Sequence, residues 1–220
     1  MAKDLASRRT IQFRKMFRFA QHDREEIMEE LTKAWQEDIR KAVEVMRKGG
    51  VILYPTDTVW GIGCDATNEE AVRKVYEIKR REDTKAMLVL VDSENRIQRY
   101  VSQVPNVAWD VIELATNPLT IIFSGAKNLP QNLVGEDGTL GIRVTRETFS
   151  QQLCFRLARP VVSTSANFSG EPAARCFDDI SEELKGMVDY VCTSRRNERN
   201  GNPSSIIKLG PSGEVEIIRK

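Results

Sequence analysis

Residues 51–66 read "VILYPTDTVWGIGCDA". An apolar run, Val51 to Tyr54, ends at Pro55, and the short polar side chains of Thr56, Asp57 and Thr58 lead to two glycines, Gly61 and Gly63. A short apolar run closed by a proline predicts a buried strand. The segment after it offers backbone and short hydroxyls, the means by which loops at strand ends hold polar ligands.

On the N-terminal side, Ile39, Val43 and Met46 recur at i, i+4 and i+7 and end at Gly49–Gly50, which predicts a helix. On the C-terminal side, strands and helices alternate. Thr67 to Glu70 matches a capping box, opening a helix with Ala71, Val75 and Ile78 on its apolar face. Strands are predicted at 86–91, 119–123, 140–144, 160–164, 188–192, 204–209 and 214–218. Further helices are predicted on Val107, Val111 and Leu114, on Phe149, Leu153 and Leu157, and near 179–186. The last two strands flank the turn Gly210-Pro211-Ser212-Gly213 and predict a hairpin. The alternation argues a three-layer α/β domain with a mixed sheet.

A chain of 220 residues, 40% hydrophobic and 30% charged, fits one globular domain with a small extension. No apolar run reaches membrane-spanning length and no signal-peptide core opens the chain, so the expected location is cytoplasmic. Residues 1–27 carry seven Lys or Arg against four acids, a net +3, which leaves −2 for residues 28–220 of a chain at +1 overall. The body is therefore not a generally basic nucleic-acid binder, and an anion site has to be a local cluster. Residues 1–27 lack a sustained helical stripe. They read as a targeting arm, an RNA-binding arm or upstream sequence from a misplaced start, the last being preferred. A chain beginning at Met28 is expected to fold and work as the full one does. Cys64, Cys154, Cys176 and Cys192 show no zinc-ligand spacing and are expected as buried or half-buried thiols.

The one histidine, His22, lies in the N-terminal extension. The body therefore offers no imidazole base, no Ser-His or Cys-His nucleophile and no histidine metal site. Hydroxyls, glycines, Lys and Arg remain at the strand ends, a set suited to positioning and neutralising phosphates. Gly61-x-Gly63-x-x-Ala66 fits a relaxed dinucleotide pattern, but Pro55 to Trp60 separates the strand end from the first glycine. Lys79, Arg80 and Arg81 end a predicted helix. As simple complements to its dipole they are worth about 0.3–1 kcal/mol each. "STSAN" (163–167) and "NPSSII" (202–207) add hydroxyls next to apolar strands, and Arg143 lies inside one, where it needs an anionic partner.

Together, "YPTDTVWGIGCDA", Lys79-x-Arg81 followed by Lys85, "PLTIIF", "LGIRV", "STSAN" and "NPSSII" stand in the order of the YrdC-like family of threonylcarbamoyl-adenylate synthases, which this chain resembles from about Trp35 to Arg219. The resemblance implies a mixed, twisted sheet with a concave, positively lined face. It implies an adenylated threonylcarbamate made from ATP, L-threonine and bicarbonate with release of pyrophosphate, for the threonylcarbamoyladenosine modification of tRNA.

Carried over by position, Lys79 and Arg81 are the catalytic pair, and Thr56, Thr120 and Ser165 lie on the threonine side. Lys79, Arg81, Lys85, Arg143, Ser163, Asn167, Ser204 and Arg219 lie on the nucleotide and phosphate side. No covalent cofactor or protein-held metal is implied; ATP is a substrate, and magnesium is allowed for with the nucleotide. The product would pass to a separate tRNA threonylcarbamoyl transferase complex, with weak tRNA binding allowed for and no membrane.

Arg80, turned about 100° around a helix from both neighbours, is expected to face away from the site. The family carries Pro where this chain has Glu82, Ala86 and Thr145, which implies looser loops around Lys79–Lys85 and after Arg143. The alternative reading is a non-enzymatic RNA-binding module of the same fold. A third is a carbamoyl-transfer domain of the hydrogenase-maturation type, which normally sits in a longer chain with zinc-finger modules.

Overall fold

The structure is a computed structural model that describes residues 32–80, 87–199 and 201–220. The expectations for residues 1–27 lie outside them. Helix α1 (32–47) buries Ile39, Ala42, Val43 and Met46, the face that the sequence periodicity marks. Gly49 ends it at φ 80°, a left-handed turn in which the Gly49 and Gly50 N–H groups reach back to the carbonyls of Met46 and Val45.

Nine strands follow among the described residues: β1 (Ile52–Tyr54), β2 (Gly61–Gly63), β3 (Leu88–Val91), β4 (Leu119–Ser124), β5 (Thr139–Val144), β6 (Val161–Ser165), β7 (Tyr190–Val191), β8 (Ser205–Leu209) and β9 (Val215–Arg219). They form one sheet in the order β7-β1-β2-β6-β3-β5-β4-β8-β9. The β1/β7, β3/β5 and β4/β8 pairs are parallel and the remaining pairs antiparallel. The sheet is mixed, as expected, and β8 and β9 form the expected hairpin. The helices after α1 are α2 (Glu69–Lys79), α3 (Ile97–Tyr100), α4 (Val107–Leu114), α5 (Thr148–Leu157) and α6 (Glu182–Met187).

As the gap from Pro55 to Trp60 implies, the glycine pair opens no phosphate-binding helix; Gly61–Gly63 is itself a strand, antiparallel to β1. Three local expectations change. Helix α2 starts one residue later than a Thr67 cap requires. Asn68 Oδ1 accepts from Ala71 N–H at 3.1 Å, while the Thr67 hydroxyl donates to Asp65 at 2.7 Å. Helix α4 buries Ala108 and Ile112, and Leu114 is 78% exposed, so its apolar stripe runs one residue away from the predicted one. After Arg143 the chain is anchored rather than loose. The Thr145 N–H, which a proline would lack, donates to Val91 O at 3.0 Å, and the Thr145 and Ser150 hydroxyls are 2.7 Å apart.

Gly63 is fixed by close approach. A Cβ there would lie 2.4 Å from Val162 O and 2.7 Å from Tyr54 Cε1, the backbone of a neighbouring strand and a fully buried ring. Gly63→Ala is expected to cost about 3 kcal/mol or more through forced repacking, seen as lost soluble yield and an earlier thermal melt. Gly61→Ala meets only side-chain atoms, the nearest at 3.2 Å, and is expected to be milder.

Candidate functional site

Side chains two apart on a strand share a face, and the strand register brings one such face together across the sheet. Ser163 pairs with Leu88, Leu88 with Gly141, and Gly141 with Ile122. Gly61 pairs with Ser165 on one flank, and Thr120 with Ile206 and Ile206 with Arg219 on the other. Small residues dominate this row, so the face is hollowed. The opposite face carries Val89, Ile121, Ile142 and Val162, all buried. The hollow is a cleft of about 460 Å³.

Six of the residues singled out in the sequence line it: Thr120, Arg143, Ser163, Ser165, Ser204 and Arg219. Among the described residues, its charged lining consists of Arg143 and Arg219. Arg143 is 3% exposed, and its Nη2 lies 3.0 Å from Asp57 Oδ1. Its Nε is buried without a hydrogen-bond partner. Burial pushes the Asp57 carboxyl above the usual carboxylate range, against the pull of Arg143. Arg219 grips Ser204 O through Nε at 2.9 Å and Nη2 at 2.7 Å, and the Ser204 and Thr120 hydroxyls are 2.8 Å apart. Partial burial and the charge of Arg143 both lower the Arg219 pKa. Two guanidiniums that disfavour each other across a hydroxyl-lined cleft suit a shared anion.

Three expected residues stand behind the lining. Thr56 is 2% exposed, and its hydroxyl donates to Val59 O at 2.7 Å and accepts from Thr58 N–H at 3.0 Å. It shapes the turn, and Thr58 faces the cleft instead. Lys79, 3% exposed, donates through Nζ to Ser165 O and Asn167 O, each at 2.6 Å, and to Asn167 Oδ1 at 3.2 Å. Its own carbonyl accepts from Ser169 N–H at 2.9 Å. Asn167 Nδ2 donates to the Phe168 and Glu171 carbonyls. Lys79 and Asn167 thus fix the loop that presents Ser165.

Arg81 and Lys85 lie outside the described residues. Arg80 does not line the cleft, but helical spacing is not the reason: helix α2 ends at Lys79, and Arg80 is its left-handed cap at φ 51°. It pairs with Glu183 and stacks over the Phe168 ring at 4.1 Å. The helical spacing that made it a bystander therefore ends at Lys79.

The assigned site residues left out Thr58, Thr139, Gly141 and Thr164, which also line the cleft, although Thr58 and Thr164 stand within the quoted stretches. Stepping by two from Arg143 reaches Gly141 and Thr139, so strand alternation held that signal. Tyr54 is fully buried, and burial raises its pKa, so it stays a phenol and serves as packing. All four cysteines are free; Cys64, Cys154 and Cys192 are buried and Cys176 is half-buried. Among the described residues, no group of three or more His, Cys, Asp or Glu could hold a metal ion, and no helix is long and apolar enough to cross a membrane.

Residues 44–220 match the sequence profile of the Sua5–YciO–YrdC family, described as "Telomere recombination". A threonylcarbamoyl-AMP synthase of Pseudoalteromonas translucida is 32% identical over 183 residues, 82% of this chain and 97% of the relative. The crystal structure of E. coli YciO superposes with a TM-score of 0.73 at 27% identity, covering 84% of this chain and 89% of YciO. P. abyssi Sua5, crystallised in complex with L-threonine, superposes at 0.70 with 24% identity over 78% of this chain. That likeness is one of fold, and this chain spans 50% of the Sua5 chain.

Proposed function

The chain belongs to the Sua5–YciO–YrdC family, and from that membership we propose that it is a threonylcarbamoyl-AMP synthase. The observation that carries the reading is the pair Arg143 and Arg219, set among the hydroxyls of Thr120, Ser163, Ser165 and Ser204 in one cleft. In the reaction, the amine of L-threonine attacks the carbon of bicarbonate and water leaves, giving a carbamate. A carbamate oxygen then attacks the α-phosphorus of ATP, and the bond from that phosphorus to the bridging oxygen breaks to release pyrophosphate. Carbamate, triphosphate and pyrophosphate are all anions, and fixed guanidiniums stabilise the charge that builds on the departing oxygen.

In this reading Arg143 and Arg219 hold phosphate oxygens. The hydroxyls of Thr120 and Ser165 take the threonine side. Lys79 and Asn167 keep the Ser163–Asn167 loop in place, and Arg81 and Lys85 add positive charge. The body supplies no histidine, so threonine's amine has to lose its proton to a carboxylate, a phosphate oxygen or water. Any magnesium required would be supplied with the nucleotide, as the counter-ion of its phosphates. The product goes to a separate tRNA threonylcarbamoyl transferase complex, with residues 1–27 a dispensable extension. The RNA-binding alternative is not favoured, since the relative matched over 97% of its length carries the synthase name.

Purified protein is expected to release pyrophosphate from ATP only when L-threonine and bicarbonate are both present. Omitting either should return release to background. Release that ignores threonine would remove the proposal.

A further inference from the structure

Asp57 belongs to the opening motif but not to the cleft lining. It lines a separate cavity of about 140 Å³ together with Arg146 and Glu147, and its carboxylate meets Arg143 from behind the cleft at 3.0 Å. The side chains of Arg143 and Asp57 are 4% and 14% exposed. Two further charges act on Asp57: Glu147 and Arg195, themselves paired at 2.9 Å. Arginine and carboxylate therefore alternate through Arg143, Asp57, Arg195 and Glu147.

A pair selected for stability would satisfy its buried polar atoms. Here Arg143 Nε and Asp57 Oδ1 are both buried without a hydrogen-bond partner. The geometry suits a counter-ion: one carboxylate, outside the cleft lining, pairs with a guanidinium that itself lines the cleft. It also offsets part of the positive charge that Arg143 and Arg219 place in the cleft. Without such an offset, two guanidiniums would retain a multiply charged product.

We propose that Asp57 is a positioning residue that aims Arg143 and weakens the cleft's hold on pyrophosphate, so that the product can leave. This rests on the reading above, in which pyrophosphate is the product released.

The test uses the full chain, with inorganic pyrophosphate as the probe in calorimetry and saturating substrates for turnover. Asp57→Asn keeps the size and removes the charge. It is expected to bind pyrophosphate about tenfold more tightly than the unaltered protein, while turnover at saturation falls about tenfold. Added pyrophosphate should inhibit it at lower concentration. Asp57→Glu restores the charge and is expected to return pyrophosphate affinity toward its original value, even where its extra methylene keeps turnover low.

A merely structural role predicts a lower melting temperature with weaker or unchanged pyrophosphate binding, and that result overturns the proposal. If Asp57→Asn fails to fold, Asp57→Ser, smaller and equally neutral, is expected to tighten binding in the same way. Absence of tightening in the neutral variant that folds also overturns it. Should the unaltered protein release no pyrophosphate from its substrates, the synthase reading fails, and calorimetry still decides the charge-offsetting role of Asp57.

Discussion

Replacing Lys79 by alanine is expected to lower the melting temperature by about 6–12 °C, the shift for about 3 kcal/mol in a domain of this size. From sequence, Lys79 at a helix end had two readings. As a dipole complement it would matter little to stability or activity; as a ligand contact it would matter to activity alone. Its position in the fold requires a third outcome. The ammonium is buried and donates to the carbonyls of Ser165 and Asn167 and to the Asn167 side chain. Alanine leaves two loop carbonyls without their charged donor, and each must find water or remain unsatisfied. The same loop presents Ser165 to the cleft, so turnover is expected to fall about a hundredfold alongside the melt. Lys79→Met keeps the aliphatic stem and should show nearly the same losses, which separates the hydrogen bonds from packing. A melt unchanged within about 2 °C would return Lys79 to the helix-end reading.

Arg143→Ala is expected to have the larger effect on chemistry. It removes a guanidinium that lines the cleft and leaves the Asp57 carboxylate, which is three-dimensionally enclosed at 14% side-chain exposure, without its neighbour at 3.0 Å. Breaking one side of such a pair costs about 3 kcal/mol in stability. Losing a charge-assisted contact that strengthens in the transition state costs more than about a hundredfold in turnover efficiency. Arg143→Lys keeps the charge but not the planar fork, so stability should largely return while turnover stays low. The double change of Asp57→Asn with Arg143→Met removes both charges. It should recover stability relative to Arg143→Ala without recovering turnover, and equal recovery of both would mean that Arg143 is only structural.

The sheet was legible because its strands are continuous apolar runs between turn residues, and the register follows from which residues can face a core. Strand β2 escaped because Gly-Ile-Gly has no strand propensity of its own; its glycines make room for Tyr54 and for the neighbouring strand. Of the candidate cleft, Thr120, Arg143, Ser163, Ser165 and Ser204 were legible as polar residues within or beside apolar strands, where only a ligand or a partner makes them tolerable, whereas Arg219 was reached through the family resemblance alone. Thr56 and Thr58 could not be told apart, since alternation fails in the turn after Pro55, and hydrogen bonding decides which hydroxyl turns inward. The part played by Lys79 was hidden for a similar reason. Its acceptors are backbone carbonyls of residues 165 and 167, and a sequence does not display the direction of a distant carbonyl.

Mass analysis of the products formed from ATP, L-threonine and carbon-13 bicarbonate tests the central claim most directly. The account predicts an adenylate that carries both threonine and the labelled carbon, formed in step with pyrophosphate and absent when threonine is left out. An adenylate of threonine without the labelled carbon, or no adenylate at all from folded protein, would contradict it.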